Sequence, residues 1–188
     1  MAKVPTRPKV PARLMTAEEF FELDIPDGRA ELVRGRVVRM SFPNARHAVI
    51  SLEIGARLLG FVKAHALGYV FVETGCITAR DPDTVRGPDV AFVSFERLAG
   101  QDLPETWWQF APDLVVEVIS PSERPKQIRE KVQDWFAAGA RRVWLFYPRT
   151  RNVYVLRSPT DVRILGPEDT LAGDDVLPGF SCPVADFF

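Results

Sequence analysis

Apolar residues recur with helical spacing in two long stretches of the chain. One stretch covers residues 46–66, and its apolar stripe carries Ile50, Ile54, Leu58 and Val62. The other stretch is "PKQIREKVQDWFAAGA", in which Pro125 suits the first turn of a helix and Gly139 suits its end. A shorter helix is indicated by "MTAEEFFEL", where Thr16 and Glu19 fit a capping box. The pattern therefore predicts three helices.

Shorter apolar runs bounded by turn residues predict β-strands. The predicted strands are a hairpin around Arg34-Gly35, residues 69–73 and 76–80 on either side of a turn at Gly75, residues 89–93, 113–119 and 142–147, and a closing hairpin of "NVYVL" and "VRIL". The segment "RDPDTVRGPD" is rich in turn residues, and we interpret it as a loop.

This order of elements predicts an α/β fold with a central mixed sheet flanked by helices and an N-terminal helix-hairpin extension. A crossover helix would join the 113–119 strand to the 142–147 strand. No domain boundary is evident, so we expect a single domain over residues 15–188. Residues 1–14 are basic and rich in proline, and we interpret them as a flexible arm that is either solvated or touches phosphates or a partner subunit.

Composition is that of an ordinary globular protein, with 46% apolar and 26% charged residues among 188. The formal net charge of −1 provides no overall attraction to nucleic acid, so any such binding needs a local patch. Cys76 and Cys182 are far apart in sequence, which favours free thiols in a reducing compartment. No signal peptide and no apolar run near 18 residues is present, so we expect a cytoplasmic protein without membrane contact.

One acidic residue stands out inside a strand that the pattern predicts to be buried. In "PDLVVEVIS", alternation places Glu117 on the same face as Val115 and Ile119. A lone buried carboxylate would lose its hydration, and its pKa would rise unless a cation or hydrogen-bond donors met it. Glu117 therefore needs a partner from elsewhere in the chain.

Asp89 is the first candidate to lie beside Glu117, because it opens the neighbouring predicted strand. If the two strands pair, both carboxylates could reach one metal ion. Oxygen-only ligands on a rigid sheet suit Mg²⁺ or Mn²⁺ rather than Zn²⁺, which prefers nitrogen and sulfur.

Lys131 lies at the edge of the apolar face of the following helix, about 40° from Trp135. Its ammonium could reach Glu117 and orient a water molecule or stabilise charge on a phosphate. A purely structural Glu117–Lys131 ion pair is the alternative.

Glu31 and His47 are less specific signals. Taken alone, Glu31 suits a surface carboxylate, and His47 suits a hydrogen-bonded structural histidine. Arginines crowd the first hairpin and helix, and basic residues crowd the helix of Lys131. They would form a phosphate-binding rim if they faced the acidic pocket, or a scattered solvated set if they did not. The sequence contains no GxGxxG, P-loop, GxSxG or HExxH motif.

These blocks together resemble a known family. "MTAEEFFEL", "AELVRGRVV", His47, "RGPDVAFV" and "PDLVVEVISPSERPKQIREKVQDWFAAGARRVWLF" occur in the order found in the Uma-two family of the PD-(D/E)xK superfamily. The resemblance runs from about Met15 to Phe188, and it implies a restriction endonuclease-like fold.

The resemblance also implies roles for individual residues. The motif's proline and aspartate match Pro88-Asp89, and its second acid matches Glu117. Position 119, where the motif's lysine usually stands, is Ile119, and Lys131 on the next helix matches the displaced lysine. Glu31 and His47 match residues that line the family's site, and the backbone carbonyl of Val118 matches a metal ligand.

The sequence thus predicts a Mg²⁺- or Mn²⁺-dependent endonuclease that hydrolyses phosphodiester bonds in DNA. Asp89, Glu117 and the Val118 carbonyl would hold the metal, and Lys131, Glu31 and His47 would complete the site. A homodimer is expected because nucleases of this fold commonly cut two strands, with Trp107-Trp108 and "ADFF" either in the interface or in the core. The alternative is an inactive relative that serves as a DNA-binding or oligomeric module.

Overall fold

The computed structural model of the chain describes residues 13–25 and 29–188. The helices are α1 (Ala17–Phe21), α2 (Ala45–Ala64), α3 (Phe95–Leu98) and α4 (Pro125–Ala137), and a 3₁₀ turn follows at Val184–Phe187. The strands are β1 (Arg29–Val33), β2 (Arg36–Met40), β3 (Gly68–Phe71), β4 (Cys76–Ala79), β5 (Thr84–Arg86), β6 (Val90–Ser94), β7 (Leu114–Val118), β8 (Arg142–Tyr147), β9 (Asn152–Leu156), β10 (Val162–Leu165), β11 (Thr170–Ala172) and β12 (Ser181–Pro183). The predicted arm, residues 1–14, lies almost wholly outside the described residues.

The central sheet is mixed, as predicted. Its strand order is β10-β9-β8-β7-β6-β3, and β7 and β8 are the parallel pair that α4 connects. Helix α2 covers one face of the sheet with its predicted stripe, and α4 covers the other. Along β7, Val116 and Val118 therefore pack on the α2 side, while Val115 packs on the α4 side. Glu117 shares the α4 side by alternation.

A second sheet carries the N-terminal hairpin, with the order β2-β1-β5-β4. Helix α1 packs on it through Phe20, and Thr16 and Glu19 form the predicted capping box. The hairpin turn uses Gly35 at φ +70°, a conformation that glycine adopts at little cost.

One of the sequence predictions about this region is wrong. Strands β3 and β4 form on either side of Gly75 as predicted, and they belong to different sheets, because β3 pairs with β6 in the central sheet while β4 joins the second sheet. Residues 84–86, which we interpreted as part of a loop, form β5, whose three residues are all buried. Turn-rich composition on both sides hid this short strand, and its pairing with β1 and β4 holds it in place.

The aromatic residues considered for a subunit interface are largely used within the chain. Trp108 is buried beside Phe71, Trp107 packs against Phe20 and Phe21, and Phe187 packs on Phe146. Cys76 and Cys182 are both buried free thiols. Within residues 13–25 and 29–188, no helix combines the length and apolarity that a membrane crossing requires.

Candidate active site

A polar cavity of about 350 Å³ opens where the two larger sheets meet. Five different segments contribute the residues that the sequence singled out. They are Glu31 from β1, His47 from α2, Asp89 from the link between β5 and β6, Glu117 and Val118 from β7, and Lys131 from α4. All six line the cavity, so residues separated by up to a hundred positions in the chain come together.

Strand pairing places Asp89 beside Glu117. Strands β6 and β7 are antiparallel with Val90 opposite Val116, and the same register continued by one residue sets Asp89 opposite Glu117. The backbone N–H of Val118 donates to Oδ2 of Asp89 at 2.7 Å, which fixes the Asp89 side chain against β7. The two strands thus pair, which was the condition for bringing the two carboxylates together.

Helix α4 supplies two donors to Glu117. Lys131 Nζ lies 2.7 Å from Glu117 Oε2, and Trp135 donates its indole N–H to Glu117 Oε1 at 2.9 Å. These two side chains are one helical turn apart and therefore project from the same face. These two donors offset the lost hydration of the Glu117 carboxylate, which retains only 5% of its accessible surface.

Glu31 extends this network to the second sheet. Its Oε1 lies 3.3 Å from Lys131 Nζ and accepts a hydrogen bond from Gly87 N at 3.2 Å. Its Oε2 accepts from Arg86 at 2.7 Å, and Arg86 also donates to Asp134 on α4. Arg86 therefore links β1, β5 and α4 at the wall of the cavity.

His47 approaches from the first turn of α2, which Asn44 caps by accepting the His47 N–H at 3.0 Å. Its Nε2 lies 3.2 Å from Asp89 Oδ2, and its Nδ1 lies 3.4 Å from the hydroxyl of Ser51. The imidazole and the N–H of Val118 thus both hold Oδ2 of Asp89.

We call the residues joined by these contacts the acidic cluster. Its members are Glu31, His47, Arg86, Asp89, Glu117, Lys131 and Asp134. Four carboxylates face two permanent cations, so the cluster carries two surplus negative charges when every carboxylate is ionised and His47 is neutral. Such an excess in a partly buried cavity favours binding of a cation.

The pKa directions follow from burial and charge. Burial, reinforced by the charges of Asp89 and Glu31 and opposed by Lys131, raises the pKa of Glu117 to about 8. Burial alone would lower the pKa of Lys131, but the carboxylates around it raise that pKa above its ordinary value. Burial would likewise raise the pKa of Asp89, but His47 and Lys131 hold it below its ordinary value.

His47 shows the reciprocal effect. Burial would lower its pKa, yet the hydrogen bond and the charge of Asp89 raise it above its ordinary value. The imidazole is therefore readily protonated while it contacts Asp89, and it titrates at a higher pH than an exposed histidine.

The donor set fits a hard divalent cation that retains water. Within the described residues, no three His, Cys, Asp or Glu side chains are arranged to hold a metal ion by themselves. Mg²⁺ often needs only one or two carboxylates and fills its remaining positions with water. Oδ1 of Asp89 accepts no hydrogen bond from the described residues, and Glu117 could exchange its contact with Lys131 for a contact with the ion.

Sequence reasoning missed three residues of the site, namely Arg86 and Asp134 in the acidic cluster and Trp135 beside it. Arg86 lay in the segment that we interpreted as a loop, and nothing local indicates that its guanidinium bridges Glu31 to Asp134. Trp135 was assigned to the apolar face of its helix, which is correct, but its indole N–H also serves Glu117. Its spacing of four residues from Lys131 was the signal that could have revealed this contact.

The basic residues divide into several groups. Arg29 and Arg39 line the cavity, and Arg34, Arg36 and Arg46 are exposed. Arg57, by contrast, pairs with Glu53 and Asp186 and does not line the cavity. Only part of the predicted phosphate-binding rim therefore borders the site.

The mixed sheet and the helix that crosses between its parallel strands belong to the restriction endonuclease-like fold. Residues 17–185 match the model of the Uma2 family, described as "Putative restriction endonuclease", and the chain belongs to that family.

A solved structure supports the same fold. The crystal structure of "a putative nuclease belonging to DUF820" from Anabaena variabilis ATCC 29413 superposes with a TM-score of 0.81 at 20% sequence identity, covering 93% of this chain and 97% of that one. No curated protein matches the chain.

Proposed function

We propose that the protein is a divalent-metal-dependent endonuclease that hydrolyses phosphodiester bonds in DNA. The observation that carries this proposal is the surplus of carboxylates at a cavity open to solvent, with Asp89 opposite Glu117 in the register of β6 and β7 and an ammonium shared by Glu117 and Glu31. Family membership and fold support a nuclease, and the cluster supplies groups suited to its chemistry.

Asp89, Glu117 and the backbone carbonyl of Val118 would hold Mg²⁺ or Mn²⁺. When bound, such an ion supplies Lewis acidity and lowers the pKa of coordinated water. The N–H of Val118 and the imidazole of His47 both hold Oδ2 of Asp89, so Oδ1 remains available for the ion. This arrangement fixes the carboxylate before any ligand arrives, which favours binding by preorganisation.

Lys131 would be the lysine that assists hydrolysis. Its Nζ lies between Glu117 and Glu31, and release from Glu117 would let it donate to a phosphate oxygen or orient the attacking water. Glu31 and Arg86 would act as positioning residues, because Glu31 holds the ammonium and Arg86 holds Glu31. Water would add to phosphorus and give up one proton to solvent, while the bond from phosphorus to the departing oxygen breaks and that oxygen takes up a proton from water in the cavity. His47 would stay on Oδ2 of Asp89 and keep that carboxylate in place.

The wider setting of the enzyme is also part of the proposal. We propose a homodimer that acts on the two strands of DNA, since a twofold assembly matches the symmetry of a duplex. We place it in the cytoplasm, where reducing conditions suit its two buried free thiols. Light scattering on the purified protein would measure the assembly directly.

Metal titration tests the site itself. Isothermal titration calorimetry with Mn²⁺ should show one weak site in the native protein, and Asp89→Ala and Glu117→Ala should each abolish it. The matched control is Glu130→Gln, which removes a charge from the cavity wall without touching the proposed ligands. Cleavage of plasmid DNA in Mn²⁺ should follow the same order. Unchanged metal binding in Asp89→Ala would refute the site.

A second candidate function has one specific observation in its favour. Both oxygens of Glu117 already have donors, Lys131 and Trp135, as expected for a structural ion pair in a fold that has lost cleavage. The protein would then be a DNA-binding or self-associating module. Absence of both metal binding and cleavage in the native protein, with DNA binding retained, would establish this function instead.

A further inference from the structure

The chemical groups of the acidic cluster lie below the protein surface. Only about a tenth of the side-chain surface of Asp89 and Lys131 is accessible, and the cavity above them holds about 350 Å³. A space of that size accommodates a small ligand or one nucleotide, whereas duplex DNA is far wider. The recessed position of these groups favours a phosphate that enters on a single strand, with its base no longer stacked in a helix.

The rim of the cavity offers an aromatic surface for such a base. Phe42 lies in the link between β2 and α2, and its neighbours Ser41 and Pro43 both line the cavity. Phe42 is 74% exposed, the largest exposed fraction among the large apolar residues that the structure describes. An aromatic ring beside a phosphate-binding cavity is a common means of holding single-stranded nucleic acid, because every base has a π-face that can stack.

Positive charge lies on the face of the β1–β2 hairpin that carries Glu31. Glu31 is opposite Val38 in the β1–β2 pairing, and Val33 is opposite Arg36, so alternation sets Arg36 on the face that carries Glu31. Arg36 and Arg46 are exposed and, within residues 13–25 and 29–188, take part in no ion pair. These guanidinium groups suit the phosphates that flank a strand entering the cavity.

We propose that Phe42 stacks on an unpaired base next to the phosphate that enters the cavity, with Arg36 and Arg46 on flanking phosphates. The substrate class is therefore single-stranded nucleic acid, or DNA that is locally unpaired where each subunit of the proposed dimer takes up one strand. This inference rests on the proposed function for its biological meaning. The stacking contact itself can be measured without metal and without cleavage.

Fluorescence anisotropy in EDTA, with labelled single-stranded DNA and RNA oligonucleotides and the matching DNA duplex, tests the proposal. The native protein should prefer a single strand, and Phe42→Ala should weaken that binding about tenfold or more while Phe42→Trp retains it. Arg36→Ala and Arg46→Ala should each lower the salt dependence of binding by about one counterion. The control is Leu52→Ala, which alters an equally exposed apolar residue of α2 about 140° around the helix from His47.

Three results would overturn the inference: equal binding by Phe42→Ala, a preference for duplex, or dissociation of an oligomer by Phe42→Ala that accounts for the loss. The last result would assign Phe42 to a subunit interface. The outcome is separable from the proposed function. Single-strand binding that depends on Phe42 without metal-dependent cleavage would uphold the stacking contact and refute the nuclease, whereas cleavage with unchanged Phe42→Ala binding would do the reverse.

Discussion

Strand β7 and the residue before it carry two buried acids with opposite surroundings. Asp113 accepts from Ser94 N at 2.8 Å and from Arg97 Nε at 2.9 Å, and Arg141 lies 3.8 Å away. Glu117, four residues later, shares its cation Lys131 with Glu31 and lies in a cluster with surplus negative charge. Asp113 does not line the polar cavity, whereas Glu117 does.

The difference shows that burial and a short ion pair do not by themselves identify a functional acid. Pro112-Asp113 and Pro88-Asp89 are the same dipeptide, and both aspartates accept backbone hydrogen bonds. Asp113 is buried and its charge is neutralised by arginine, so it has no charge left with which to bind a further ligand. Asp89 and Glu117 remain short of positive charge at a cavity that a ligand can enter, which is the state expected of a binding site.

The largest effect on stability should come from breaking the buried ion pair between Asp113 and Arg97. We expect Asp113→Ala to lower the free energy of unfolding by about 3–5 kcal/mol, because Arg97 and Ser94 N lose their buried acceptor. Urea denaturation measures this change, and Mg²⁺ should not restore it. Asp175→Ala, which removes a more exposed partner of Arg141, is the control and should cost about 0–1 kcal/mol. A loss below about 1 kcal/mol in Asp113→Ala would contradict the structural role.

A smaller, metal-sensitive effect should follow at the acidic cluster. We expect Lys131→Met to lower the free energy of unfolding by about 1–3 kcal/mol without metal, because Glu117 and Glu31 lose their shared cation. The loss is limited because burial raises the pKa of Glu117, and the protonated carboxyl needs no cation. Mg²⁺ should bind this variant more tightly and restore its stability, while DNA cleavage should be absent. A loss that Mg²⁺ leaves unchanged would make Lys131 purely structural.

The sequence predicted one part of this comparison much better than the other. The apolar stripe of α2 and the run in β7 follow simple periodicities, so the central sheet and the position of Glu117 were predictable. Glu31 and His47 became candidates through family resemblance, since each is individually ambiguous. The bridge from Arg86 to Asp134 spans 48 positions and depends on the packing of β5 against α4, which no local pattern encodes. The structural role of Asp113 likewise depends on a residue distant in sequence, Arg97, which contacts it from α3.

The stability of the metal-free protein should depend on pH through the proton on Glu117. Because burial raises the pKa of Glu117 to about 8, the folded metal-free protein holds a proton there at neutral pH, whereas the unfolded chain releases it near 4.3. The resulting stabilisation is complete below about pH 4.3 and is lost as the pH rises through 8, with a slope of at most about 1.4 kcal/mol per pH unit.

Metal affinity should show the opposite trend, because the ion must displace this proton. Calorimetry should find Mn²⁺ binding strengthening by up to about tenfold per pH unit below 8 and levelling off above it. Glu117→Gln should remove the corresponding slope from the unfolding free energy of the metal-free protein. An affinity independent of pH between 6 and 8 would show that Glu117 is already ionised in the folded state.

The smallest effect should come from a change at Arg141. It separates the contributions of Arg141 and Arg97 to the stabilisation of Asp113. Arg141 lies 3.8 Å from Asp113 and is 39% exposed, whereas Arg97 donates at 2.9 Å and also donates to the carbonyls of Ala111 and Gly139. Solvent screens the more distant pair, so Arg141→Gln should cost about 0–1 kcal/mol in urea denaturation, while Arg97→Gln should cost clearly more. Equal losses of unfolding free energy would mean that Asp113 depends on both arginines. Its surroundings would still differ from those of Glu117, which shares the single cation Lys131 with Glu31.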